Sequence, residues 1–123
     1  MGQPITTQHP ELIDLAVARA KEGDPNALHF LYLRFADDVC RYVNGIVHDL
    51  DDSRDITHGV FGRLMTPIQR YEPSEIPFAA WILRLARSAA VNHLVAREDA
   101  QLRQVLLCLQ SRRLPLAEPG QAG

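Results

Sequence analysis

Long apolar runs and a leader that is first basic and then apolar are both missing from this sequence. A transmembrane helix needs roughly 18 or more apolar residues in succession, and a signal peptide needs that leader, so the sequence argues against membrane insertion and secretion. Cysteine is scarce as well, since Cys40 and Cys108 lie far apart and outside any CxxC motif. A disulfide framework is therefore excluded, and we predict a cytoplasmic protein whose two cysteines are small buried hydrophobes.

The motifs that mark enzymes and metal sites are also missing. The five histidines are scattered, with no HExxH, no Cys/His pair at ligand spacing, no Gly-rich phosphate loop and no GxSxG. Three neighbouring aspartates, Asp51, Asp52 and Asp55, follow no calcium-loop pattern, and helix capping with solvation explains them better. The sequence therefore predicts no catalysis, no metal site and no cofactor.

Lysine is nearly absent, because Lys21 is the only lysine among 13 basic residues, and the formal net charge is -2. A protein with this balance does not hold nucleic acid by bulk charge alone. The charges are nevertheless unevenly spread. Residues 37–55 contain six Asp against two Arg, whereas residues 78–113 contain six Arg against one Glu and one Asp. The acidic and the basic segment are either two binding faces or two solvated helix faces without a partner.

Helical periodicity is the strongest positive signal, since apolar residues recur at three- and four-residue spacing in four segments. The first predicted helix opens near Leu12 and stops at Gly23. The second begins after an Asp24 cap, has Pro25 in its first turn and runs to about His48. No segment shows the sustained alternation of a strand.

The second half of the chain predicts two further helices. The third is capped by Asp51, Asp52 or Ser53 and carries apolar residues as far as Ile68. Prolines bracket a loop over residues 70–76, and the fourth helix begins at Pro77 and continues through AREDAQLRQVLLCLQ. We predict an all-α four-helix bundle over residues 11–97, a helical extension or linker over 98–113, and disordered segments at 1–10 and 114–123.

One flank of the fourth helix carries basic and amide side chains at spacings of one to five residues: Arg84, Arg87, Asn92, His93 and Arg97. Arginine on such a flank can hold phosphates, and asparagine can reach base edges. Tyr71, in the preceding loop, offers a stacking surface for an unpaired base, whereas Trp81 belongs to the apolar stripe and is predicted to be a core residue. Charge and spacing alone fit an ordinary solvated helix face as well as they fit a nucleic-acid-binding face.

Three stretches in order carry a family pattern. They are DLAVARAKEGDPNALHFLYLRF, with a Gly-Asp turn before a helix of paired aromatics, DSRDITHGVFGRLM, with Asp before Val-Phe, and PFAAWILRLARSAAVNHLVAR, with Phe-x-x-Trp. From residue 12 to residue 97 the chain resembles domain 2 of the extracytoplasmic-function (ECF) sigma factors, in the sigma-70 family of bacterial RNA polymerase specificity subunits. The resemblance implies a four-helix fold and a transcription initiation factor without catalysis of its own.

The resemblance also implies two binding sites. In the family, the Asp-to-Phe helix docks on the clamp-helix coiled coil of the polymerase β′ subunit, and the matching positions are Asp55, His58, Phe61 and Met65. The loop and the next helix recognise and melt the promoter -10 element and capture a flipped base of the non-template strand. The matching loop positions are Tyr71, Ser74 and Ile76, and the matching helix positions are Arg84, Arg87, Ser88 and Asn92.

Several positions depart from the family pattern. His58 and Gly59 stand where the family has Gln and an acidic residue, and Ser88 and Asn92 replace Asn and Asp, so a promoter preference cannot be transferred. Only 26 residues follow Arg97, too few for the family's second domain, which reads the -35 element. The chain is then a segment of a longer protein, a natural single-domain member, or a sigma-like module that binds an anti-sigma factor or another regulator and has no promoter activity.

The segment after residue 97 carries a small apolar stripe made of Leu102, Val105, Leu106 and Leu109. Such a stripe can self-associate, receive an anti-sigma helix, or pack back on the bundle. The sequence alone leaves these three alternatives open.

Overall fold

Four α-helices and one short 3-10 helix make up the chain, in a computed structural model that describes residues 10–122 and the side chains of residues 11–111. The helices are α1 (Pro10–Lys21), α2 (Pro25–Val47), α3 (Leu50–Gly62) and α4 (Phe78–Ala122), and the 3-10 helix is Pro67–Arg70. Within the described range there is no strand, so the all-α prediction is confirmed. The segments predicted to be disordered, 1–10 and 114–123, lie outside the described side chains.

The chain divides into two compact units, Met1–Val91 and Asn92–Gly123. The first unit holds α1 to α3, the 3-10 helix and the beginning of α4, and the second holds the rest of α4. Every buried hydrophobic side chain in the described range belongs to the first unit. The boundaries predicted at residues 97 and 113 stay predictions.

The core is built around α2, which buries one side chain per turn at a spacing of four: Ala27, Leu31, Phe35, Val39, Val43 and Val47. The beginning of α4 follows the same rule with Phe78, Ile82, Ala86 and Ala90. This spacing keeps the apolar side chains on one helix face, as the periodicity predicts. The prediction of a buried Cys108 is wrong, because its helix turn carries no core residue and the thiol is exposed, while Cys40 is half-buried.

Helix caps fix the sharp turns between the first three helices. The Asp24 side chain accepts a hydrogen bond from the Asn26 amide at 2.9 Å and caps α2, as predicted. Gly23 just before it has φ +90°, a left-handed conformation that glycine adopts without a steric penalty. The predicted cap of α3 is wrong: Asp49 occupies the N-cap, and its carboxylate accepts a hydrogen bond from the Asp52 amide at 2.9 Å.

Ser53, one of the predicted caps, is a buried residue of the α2–α3 interface instead. Its hydroxyl lies 2.7 Å from the Asp49 carbonyl oxygen and 3.2 Å from Asn44 Oδ1 on α2. One turn later the Thr57 hydroxyl donates to the Ser53 carbonyl oxygen at 2.8 Å. These bonds satisfy the buried hydroxyl groups of Ser53 and Thr57, which avoids the cost of unpaired polar groups in the core.

The α3 helix ends at Gly62, although the apolar pattern continues to Ile68. Leu64 and Ile68 are still fully buried, because turns and the 3-10 helix return both side chains to the core. The Gln69 side-chain amide donates to the Lys21 carbonyl oxygen at 2.9 Å and thereby ties this segment to the end of α1. No helix among the described residues is long and apolar enough to span a bilayer.

Candidate functional site

The α3 surface carries the first group of predicted binding residues. Asp55 and His58 are one helical turn apart and exposed. Asp55 makes no ion pair or hydrogen bond with the described part of the chain, whereas its neighbour Asp51 pairs with Arg54 at 3.8 Å. A carboxylate without a partner keeps its full charge available to a basic partner protein.

His58 is held by a residue that the motif did not reveal. Its Nε2 atom lies 3.0 Å from the hydroxyl oxygen of Tyr32 on α2. The Tyr32 ring also meets Phe61 edge-on, with the ring centroids 5.3 Å apart. Phe61 is only 9% exposed, so it supports this surface from below and offers little area of its own. Tyr32 could be found from the sequence only as one member of a long apolar stripe.

Met65 lies apart from the other three, beyond the end of α3. Its side chain is 37% exposed, and its methyl carbon approaches the turn at Gly23 between α1 and α2. The structure therefore places Asp55, His58 and Phe61 on neighbouring turns of one helix, with Met65 on the following turn-rich segment.

The loop before α4 is organised by Tyr71. The sequence predicts a stacking surface here, but the Tyr71 ring is only 1% exposed and packs against Phe78 and Trp81 at centroid distances of 5.6 and 4.9 Å. Its hydroxyl donates to the Ile76 carbonyl oxygen at 2.6 Å, which closes the loop across five residues. In this structure Tyr71 therefore shapes the loop from inside and presents no ring face to a base.

Burial raises the pKa of the Tyr71 phenol above its usual value of 10.0, and the nearby Asp14 carboxylate raises it further. Both effects disfavour the phenolate, so the hydroxyl stays a hydrogen-bond donor at neutral pH. The half-buried Trp81 packs on this cluster, in keeping with its prediction as a core residue.

A cavity of about 420 Å³ opens beside this loop. Ser74 and Ile76 line it from the loop, with Ser74 exposed and Ile76 half-buried. Asp14 of α1 and Arg34 of α2 supply charged groups on the other side, where the Arg34 guanidinium carbon lies 4.9 Å from the Phe35 ring centroid. Both residues lie within the first of the three family stretches, but nothing in the sequence indicated that either reaches this loop, so sequence reasoning assigned neither of them to the site. The cavity combines apolar walls with hydrogen-bonding groups of both kinds, as small-molecule and nucleobase sites do.

The beginning of α4 presents a basic surface. Arg84, Arg87 and Ser88 are exposed on the helix face opposite the buried residues Ile82 and Ala86. Neither arginine forms an ion pair with a described residue, whereas Arg41 of α2 pairs with Asp38 at 3.4 Å. Exposed, unpaired guanidinium groups are suited to phosphate contacts.

The remaining predicted residues lie in the second unit. Asn92 is its first residue and is exposed, while His93 and Arg97 are half-buried and take part in interactions of their own. Asn92 therefore keeps its place on the solvent side of α4. Within the part of the chain that the structure describes, no group of three or more His, Cys, Asp or Glu side chains could hold a metal ion.

The comparison with known families fits this arrangement. The family model for Sigma-70 region 2 matches residues 31–99, which is more than half of the 123 residues. That segment begins inside α2 and includes α3, the loop and the basic part of α4. The chain belongs to the sigma-70 region 2 family, as the three sequence motifs predicted.

Two relatives place it more closely. It is 28% identical over 81 residues to the RNA polymerase sigma-H factor of Pseudomonas aeruginosa. This aligned segment covers 66% of this chain and 42% of the relative. It is also 30% identical over 77 residues to the ECF RNA polymerase sigma factor BldN of Streptomyces coelicolor. That aligned segment covers 63% of this chain and 29% of BldN. The chain thus spans less than half the length of either relative, and the predicted resemblance to ECF sigma factors is confirmed. No solved structure gave a significant match.

Proposed function

We propose that this chain is the region 2 domain of an ECF-type sigma factor, which binds core RNA polymerase and recognises and melts the promoter -10 element. The observation that carries the proposal is that the family-matched segment exposes an unpaired carboxylate on α3 and unpaired arginines on α4. The two relatives are named as RNA polymerase sigma factors, which supports the same role. The role involves no catalysis by this chain and takes place in the cytoplasm.

Polymerase docking belongs to the α3 surface. Asp55 provides the charge for the β′ clamp coiled coil, and His58 and Met65 provide further exposed contact area. Phe61 contributes indirectly, because its buried ring and the Tyr32 ring together fix the position of His58. An exposed acid meeting a basic coiled coil favours fast association and correct orientation more than raw affinity.

Promoter contact belongs to the loop and the exposed face of α4. Arg84 and Arg87 hold the phosphate backbone, and Ser88 and Asn92 lie on the same helix for contacts to bases or sugar. The cavity beside Ser74 and Ile76 receives a flipped base of the non-template strand, and Tyr71 keeps its wall in place through the bond to Ile76. Contacts to the extruded base offset the cost of unpairing it.

Binding to core RNA polymerase tests the docking half. Asp55→Ala is expected to weaken binding about tenfold, since losing a close charge contact costs on the order of 1.4 kcal/mol. Asp37→Ala is the matched control, because it also removes an exposed carboxylate, but from α2. Polymerase without the β′ clamp coiled coil should bind neither the parent chain nor the variants. Equal affinities of the Asp55→Ala and Asp37→Ala variants would contradict the assignment.

A second candidate function is a sigma-like module that binds an anti-sigma factor or another regulator. It is favoured by the docking surface itself, where His58 is engaged with Tyr32 and Gly59 replaces an acidic side chain of the family. If the folded chain fails to bind core polymerase while it still binds a regulator, this second function replaces the first.

A further inference from the structure

The C-terminal part of α4 carries an exposed apolar stripe. Leu102, Val105, Leu106 and Leu109 are 58%, 53%, 51% and 46% exposed. They recur at spacings of three and four, so they share one helix face. Every described side chain from residue 98 to residue 111 is exposed. A contiguous apolar face of this kind marks an interaction surface.

We propose that this stripe pairs with the same stripe of a second copy of the chain, with the two helices antiparallel. The stripe is its own complement in this direction. When Leu102 lies opposite Leu109 of the second copy, Val105 lies opposite Leu106. A two-fold symmetric interface repeats each of these contacts, so four residues per copy form one continuous apolar seam.

The charges that flank the stripe agree with the same register. Glu98 and Asp99 precede it, and the sequence continues after it with Arg112 and Arg113 on the same helix. The register that aligns the apolar residues sets positions 98 and 99 opposite positions 113 and 112 of the second copy. Acidic positions therefore meet basic ones at both ends of the seam. A parallel pair would instead bring like charges together, which is unfavourable.

Charge complementarity thus selects both the occupant and its direction. Binding a helix of an unrelated protein would not require that this segment be complementary to itself in the antiparallel direction. The self-complementarity therefore favours a second copy of the chain. The pairing does not rest on the proposed function, because it uses no residue assigned to the polymerase or the promoter.

Sedimentation equilibrium of the whole chain tests the pairing. The mass is expected to rise with concentration from the monomer value of 13.8 kDa toward twice that value. Leu106→Glu should weaken self-association at least about tenfold, because it buries a charge in the seam. Leu33→Glu is the matched control, since Leu33 is a 67% exposed leucine of α2 outside the seam, and it should leave the association unchanged. A wild-type chain that stays monomeric up to about 100 µM would overturn the proposal.

Two charge variants, each measured alone, test the direction, and their mixture tests whether the charges meet across the seam. One carries Glu98→Arg with Asp99→Arg, and the other carries Arg112→Glu with Arg113→Glu. Each alone should lose association, because all its flanking charges then have one sign, while an equimolar mixture should form a mixed dimer. Circular dichroism checks that both variants keep their helix content. A single variant that associates like the parent chain would show that the antiparallel direction is wrong, because a parallel pair already brings like charges together in the parent chain. A mixture that stays monomeric would show that these charges do not meet across the seam.

Discussion

Tyr71 illustrates how one buried hydroxyl can define the shape of a loop. Its ring completes an aromatic cluster with Phe78 and Trp81, and its hydroxyl holds the Ile76 carbonyl oxygen at 2.6 Å. Residues 72–75 are exposed between these two anchors. The loop is therefore fixed at both ends while its middle stays accessible, which lowers the entropy that it would lose on binding.

Tyr71→Phe removes this bond without changing the ring. We expect the free energy of unfolding at neutral pH to fall by about 1 kcal/mol, the usual net value of one hydrogen bond. Tyr42→Phe is the matched control, because Tyr42 is 36% exposed and should change stability little. Urea denaturation of both variants measures the difference, and equal stabilities would show that the bond to Ile76 contributes nothing.

The pH dependence of stability at alkaline pH follows from the same residue. Because the pKa of Tyr71 is raised in the folded state, the folded phenol keeps its proton at a pH where the unfolded phenol has lost it. The folded state then binds more protons, so the free energy of unfolding falls as pH rises above about 10 and is unaffected well below that value. Tyr71→Phe should flatten this decline in denaturation curves recorded across that range. An unchanged slope would mean that Tyr71 does not carry the effect.

The short connection between α2 and α3 contains several neighbouring residues that could each cap α3. Asp49, Asp51, Asp52 and Ser53 are all good N-cap residues by type. His48 decides among them, because its left-handed conformation, with φ 58°, ends α2 and leaves Asp49 in the extended conformation that an N-cap requires. The sequence predicts that a cap exists here, but not which residue supplies it, since the choice depends on where α2 stops.

Asp49→Ala should destabilise the domain by about 1 kcal/mol, because the Asp52 amide loses its capping partner. Asp51→Ala is the control of equal charge. Its ion pair with Arg54 is long, at 3.8 Å, and both side chains are largely exposed, so its loss should cost only a few tenths of a kcal/mol. Chemical denaturation at neutral pH compares the two, and equal losses would contradict the assignment of Asp49 as the cap.

Helical periodicity and motif spacing together predicted the main elements of this molecule, because apolar spacing in α2 and in the first turns of α4 directly encodes a buried face. Contacts between distant segments were not predictable. Tyr32 meets His58 across 26 positions, and Asp14 and Arg34 reach the loop cavity from two other helices. Such pairs depend on how the helices pack, which no local pattern specifies. Residue type also misled for Tyr71, since tyrosine suits a core and a stacking platform equally well.

At the scale of the whole molecule, the net charge of -2 is an average over arginines in two different surroundings. On α2 and α3, arginines are neutralised locally, as Arg41 is by Asp38 and Arg54 by Asp51. On α4, Arg84 and Arg87 have no such partner among the described residues. DNA affinity should therefore depend on where an arginine lies and not on the overall charge.

Two double variants with the same change in net charge separate these contributions. Arg84→Ala with Arg87→Ala should weaken binding to promoter DNA for all sequences and lower the slope of log K against log salt by about two, because each phosphate contact releases about one counterion. Arg41→Ala with Arg54→Ala should leave the slope unchanged, since both arginines are already paired. Binding to core polymerase should survive the first double variant, because α3 is untouched. Equal slopes for the two variants would instead mean that DNA responds to net charge alone, and the exposed face of α4 would lose its assigned role.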